Sequence, residues 1–244
     1  MTIYLVCFFI SSFLVYLSQR SQKRLLRICI LFFAVLCPCI LAGWRDSSIG
    51  TDVEVYGNPW FLNALSSTSF TQYLKWGTSS SIGSVYLVIN WIAASITNDV
   101  HFFYFLLALV EILLIFNVAF KNKTIVSPWL VVISYYLLFY NLSLNLLRQG
   151  LALCFCANIF HNLRSDNKFS IAFWLILACG SHDTAFVCIF FILVWYLLKT
   201  KLSRVWYPLI IGVYLILVLF FQKIVVILYR FGIISERYYD YLFG

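Results

Sequence analysis

ICILFFAVLCPCILAGW, residues 28–44, carries no charge and is closed by Arg27 at one end and Arg45 at the other. An apolar run of this kind approaches the ~20 residues that a helix needs to cross a bilayer. In lipid only a helix or a closed barrel satisfies its own backbone. The same pattern recurs along the chain, at 3–18, 102–120, 126–142, 149–161, 169–180, 185–198 and 205–221. The first run is not a removable signal peptide, because it lacks a basic start and a basic loop rather than a cleavage site follows it. The sequence therefore predicts an all-α, polytopic transmembrane helical bundle of about 8–9 membrane segments, forming one integral-membrane domain over 1–244.

Composition agrees. The chain is 63% hydrophobic and only 11% charged, with a mean hydropathy of +0.94. An ordinary soluble domain carries roughly 25% charged residues, so a water-soluble globule is excluded, and so is a disordered chain. The net charge of +8 does not mark a nucleic-acid binder. Its basic residues gather in short gaps between apolar runs: Arg20, Lys23, Arg24 and Arg27, then Lys121 and Lys123, then Arg164 and Lys168, then Lys199, Lys201 and Arg204. Such loops face the cytoplasm by the positive-inside rule and require no partner beyond anionic lipid headgroups. The N-terminus is then external.

This orientation poses a parity problem. Passing from an external Arg45 to an internal Lys121 takes an odd number of crossings, yet two apolar stretches, 83–96 and 102–120, lie between them. The first is too short for a standard span and reads as re-entrant or tilted. The alternative is that 53–76 also dips through the membrane.

The eight cysteines lie in or at the edge of apolar runs. Cys37 and Cys39, like Cys154 and Cys156, point to nearly opposite faces of a helix and make poor metal pairs, so they read as small packing hydrophobes. No phosphate-binding glycine loop, dinucleotide fingerprint or zinc spacing occurs, which disfavours a soluble nucleotide substrate and predicts no metal or other cofactor.

Three polar constellations fall on the external side. The first is Arg45-Asp46-Ser-Ser-Ile-Gly50-Thr51-Asp52-Val-Glu54-Val-Tyr56, a loop of mixed charge with a glycine for the turn. The second is Asn141-Leu-Ser-Leu-Asn145-Leu-Leu-Arg148-Gln149-Gly150, where an arginine opening a helix suits a diphosphate. The third is Gly180-Ser181-His182-Asp183-Thr184, whose histidine exchanges protons near neutral pH. A plainer reading stands beside each: an interfacial loop anchored by Arg45, a snorkelling Arg148, and a turn cap at His182. Glu111 is the only acid deep in an apolar run and reads as neutral or paired, with Asn90 or another helix polar group as a structural partner. His101 and His161 read as interfacial packing.

In this order the three constellations resemble the EpsG-type branch of the Wzy-like polysaccharide polymerases. The resemblance rests on Arg45 with Gly50-Thr51-Asp52 and Tyr56, on Asn145 with Arg148-Gln149, on His182, and on a late Arg237-Tyr238-…-Tyr241 segment. It implies a glycosyltransferase of the bacterial inner membrane, active on its periplasmic or extracellular face. The implied substrate is an undecaprenyl-diphosphate-linked oligosaccharide; a chain-length regulator and a flippase are partners compatible with that role. Arg148, His182 and Asp52 are the implied catalytic residues. Arg45, Gly50, Thr51, Tyr56, Asn145, Gln149, Arg237 and Tyr238 are the implied substrate-binding ones. Relatives often carry an acid just before the third apolar stretch, where this chain has Ser80-Ser81-Ile82-Gly83. They also usually continue through further spans, so a chain stopping at Gly244 implies a truncated or short relative. The competing classes are a ligase, which would join finished glycan to another acceptor, and a flippase, which would need polar residues through the full membrane depth.

Overall fold

The computed structural model describes residues 2–46, 49–199, 212 and 221–230. The described elements are helical: α1 Thr2–Arg20, α2 Arg24–Gly43, α3 Asn58–Ser66, α4 Phe70–Ser79, α5 Ser84–Ile96, α6 Val100–Lys121, α7 Pro128–Tyr135, α8 Asn141–Asn145, α9 Leu147–Ser165, α10 Lys168–Cys179, α11 Val187–Lys199 and α12 Phe221–Arg230. Short π-helical turns occupy Val53–Gly57 and Tyr136–Tyr140, and a 3-10 turn occupies Asp183–Phe186. By contact the chain divides into two compact units, Met1–Ile192 and Leu193–Gly244. α12 belongs to the second.

Among the described residues α1, α2 and α6 are long and apolar enough to cross a membrane. At 1.5 Å per residue their 19, 20 and 22 residues reach about 28–33 Å, the thickness of the hydrocarbon core. The other predicted spans in this region form shorter, broken or less apolar helices, and the 205–221 span lies outside the described residues. Large apolar side chains such as Phe9, Phe32 and Leu138 stand exposed on the helix flanks, as lipid-facing positions do.

Packing inside the bundle is tied by polar groups whose partners follow from local chemistry. Pro38 lies inside α2 and has no N–H to give to the carbonyl one turn back. That carbonyl, of Ala34, instead takes the Ser11 hydroxyl of α1 at 2.6 Å. Ser11 also meets the Tyr136 hydroxyl at 2.9 Å, and the Tyr140 hydroxyl donates to Pro38 O at 2.6 Å. The π-helical turn carrying Tyr136 and Tyr140 thus presents both rings to the α1–α2 hairpin, where they pack on Phe8.

α7, the π turn and α8 follow one another with helical backbone angles as far as Asn145. The rod breaks at Leu146 (φ −112°, ψ 71°), and α9 doubles back against α8. Gly150 makes this approach possible, since a Cβ there would lie 2.4 Å from the Ser143 side chain.

α3, α4 and α5 have 9, 10 and 13 residues, so the longest spans about 20 Å and none can cross. At the start of α5 the Val85 N–H donates to Gly180 O at 2.8 Å. Just beyond its other end, His101 Nδ1 lies 2.7 Å from Gly43 O at the close of α2. Both ends of α5 therefore sit at the same end of the bundle, leaving α6 as the single crossing between Arg45 and Lys121. At the opposite end are the Arg20–Arg24 turn and the last turns of α6 and α9, where His161 Nδ1 meets Asn122 Oδ1 at 3.1 Å. The basic connectors within the first unit thus share one end.

Candidate functional site

The site is organised around the break at Leu146. The loop preceding the Val53–Gly57 turn lies on it because Gly50 adopts φ +109°, and a Cβ there would sit 2.8 Å from Leu144 O. The next residue fixes the register: the Thr51 N–H and hydroxyl both donate to Asn145 Oδ1, at 2.7 and 3.2 Å. Asp52 follows, set beside the Leu147 N–H at the opening of α9 and facing the charge of Arg148, both of which favour its charged form. An acid at a helix N-terminus is favourably placed against the helix dipole.

Arg148 is half-buried. Its guanidinium carbon lies 3.7 Å from the centroid of the Tyr56 ring, and Nη1 reaches Ser81 O at 3.4 Å. Its Nε is buried without a hydrogen-bond partner. Ser81 adopts a left-handed backbone (φ 59°) in the turn between α4 and α5. In this turn a backbone carbonyl faces the guanidinium.

His182 completes the cluster. The turn 81–85 packs against its corner so closely that a Cβ on Gly83 would lie 2.2 Å from Ser181 O. The His182 ring caps the 3-10 turn: Nδ1 accepts the Thr184 N–H at 3.1 Å and lies 3.0 Å from the Thr184 hydroxyl. With Nδ1 accepting, the neutral ring carries its proton on Nε2. Burial, then the charge of Arg148, pulls this histidine below its usual value, opposed by Asp183. Burial pushes Asp52 above the usual carboxylate value, opposed by Arg148 and the Leu147 N–H.

The structure thus brings Asp52, Tyr56, Arg148 and His182 together. It assigns Arg45 a different environment. Only 4% exposed, Arg45 stacks over Tyr104 at 4.5 Å and donates from Nη1 to Leu144 O at 2.8 Å, at the broken end of α8. It lies beneath the break, with Nε and Nη2 unpartnered. Gly50, Thr51 and Asn145 form the seam between loop and break, and Gln149 is exposed beside Arg148. Arg237 and Tyr238 lie outside the described residues.

Sequence reasoning missed Ser81, Gly83 and Tyr86, whose buried hydroxyl has no hydrogen-bond partner and senses both Arg148 and Asp52. It saw Glu111 without placing it. Glu111 is 2% exposed beneath the break, with the Tyr135 hydroxyl 3.5 Å from Oε2 and Oε1 unpartnered. Asn90 is not among its partners. Both of its amide atoms are buried without a hydrogen bond. Among the described residues no three His, Cys, Asp or Glu side chains gather as a metal site.

Apolar helices with polar groups collected at one end define an integral membrane protein. The chain belongs to the EpsG family, whose profile matches residues 28–244. No curated protein and no solved structure matches it.

Proposed function

We propose that this protein is a polysaccharide polymerase that transfers a growing glycan from undecaprenyl diphosphate onto a lipid-linked repeat unit. Family membership supports a polymerase-like role in polysaccharide biosynthesis. The observation that carries the finer reading is the meeting of Asp52, Arg148 and His182 where α9 opens. The basic connectors of the first unit gather at the opposite end, which by the positive-inside rule supports placing this cluster on the outer face.

A sugar hydroxyl of the acceptor attacks the anomeric carbon of the donor. The bond from that carbon to the diphosphate oxygen breaks, and its electron pair leaves on the lipid diphosphate. The leaving group needs fixed positive charge, which Arg148 and the N-terminus of α9 supply. Stacking on Tyr56 holds the guanidinium in place. The attacking hydroxyl needs a base. Asp52 serves, since burial raises its affinity for a proton. His182, with Nδ1 engaged, donates through Nε2 to a substrate oxygen. Arg45 keeps the break in shape from below.

Replacing Arg148 by Ala, with membrane expression retained, leaves cells with single, unpolymerised repeat units. Long-chain polysaccharide in that strain would overturn the assignment.

A further inference from the structure

A groove of about 350 Å³ opens beside the break, between α8 and the preceding π turn, α9 and the start of α11. Its walls are Phe139 and Leu142, Leu153 and Phe160, and Val187 and Phe191. All six are large apolar residues left exposed at 38–59%. Polar groups concentrate toward one end: Gln149, next to Arg148, and Thr184, which is bonded to the His182 ring. From Gln149 to Phe160 the groove follows α9 for eleven residues, about 16 Å at 1.5 Å each. That is close to half of a ~30 Å hydrocarbon core, or one leaflet.

We infer that this groove holds the hydrocarbon tail of the lipid-linked substrate while its diphosphate rests at Arg148. The inference builds on the polymerase reading above and adds where the lipid lies. Three features select a tail over a soluble ligand. The walls are apolar and exposed on the helix flanks, so in a bilayer a chain enters laterally without crossing water. The polar mouth adjoins the fixed positive charge, so one molecule with an anionic head and an apolar tail satisfies both. The depth matches a leaflet, so the head reaches the interface as the tail stays in hydrocarbon. Ala152, 3% exposed on the lining, leaves the room that a larger side chain would close.

The test uses the full-length protein in nanodiscs with a long-chain polyprenyl diphosphate bearing a diazirine on its tail. Light-induced adducts are mapped by mass spectrometry. We expect adducts concentrated on Leu153, Phe160 and Phe191, suppressed at least fivefold by excess unlabelled polyprenyl diphosphate. Ala152→Phe, and independently Val187→Trp at an exposed wall residue, should cut these adducts severalfold. Adducts scattered over exposed apolar residues such as Phe9 and Phe32, or absent from the groove, would overturn the proposal. The two readings fail separately. Long polymer made by Arg148→Ala with competed groove adducts intact sinks the polymerase assignment alone. Loss of polymer in Arg148→Ala with scattered adducts in the native protein sinks the groove alone.

Discussion

Arg45→Ala is the substitution whose cost the structure fixes most directly. The native guanidinium donates to Leu144 O at 2.8 Å, covers the Tyr104 ring and lies within the electrostatic reach of the buried Glu111 carboxylate. Removing it deletes a charge-assisted hydrogen bond worth about 1.5–3 kcal/mol and strands a buried carbonyl. It also takes a weaker, longer-range opposite charge away from Glu111. The hydrogen bond dominates, so the expected loss is about 1.5–3 kcal/mol in total. Reversible unfolding in mixed micelles, followed by tryptophan fluorescence, measures it. Glu111→Gln in the same background closes a double-mutant cycle, and the coupling expected for groups in one network is about 0.5–3 kcal/mol. Part of the damage from Arg45→Ala is therefore relieved once Glu111 no longer carries a charge. A loss below about 0.5 kcal/mol, the level of an ordinary surface substitution, would refute the claim that Arg45 clamps the break from within. So would strict additivity with Glu111→Gln.

Gly50→Ala is expected to lower polymer formation more than global stability, because φ +109° and a Cβ 2.8 Å from Leu144 O must lift the loop bearing Asp52 off the break; polymer length in membranes, compared with the unfolding midpoint, checks this. On acidification His182 takes up a proton on Nδ1 and can no longer accept the Thr184 N–H that orients its ring, so activity should fall, at a pH below the ordinary histidine value because burial and Arg148 oppose its charge. Asp183 favours the charged ring, so Asp183→Asn should move that limb to still lower pH in the rate–pH profile; an upward shift would contradict the stated electrostatics.

How much of this was legible in sequence depends on the range of the interaction. The spans of α1, α2 and α6 could be read directly, because an uninterrupted apolar run is a local property and its backbone has few alternatives in lipid. The helical nature of 83–96 was legible too. Its starting and finishing at one end of the bundle was not, since that depends on Gly180 and Gly43, far away in the chain. The cap made by His182 was visible as one of two readings, and the structure shows the ring capping its turn and facing Arg148 at once.

By itself the sequence determined the solvent, the helical class, the end to which the first unit's basic connectors belong, and, through its resemblance, the order of three polar clusters. Only the tertiary structure separated Arg45 from Arg148. In sequence both are arginines beside an apolar run. In the fold one is locked beneath the break and the other stacks on Tyr56 at the opening of α9. The difference rests on contacts between residues 99, 94 and 67 apart, namely Arg45 with Leu144, Thr51 with Asn145 and Arg148 with Ser81. Hydrophobic patterning encodes which face of a helix meets lipid. Which distant carbonyl meets which guanidinium is settled by packing alone.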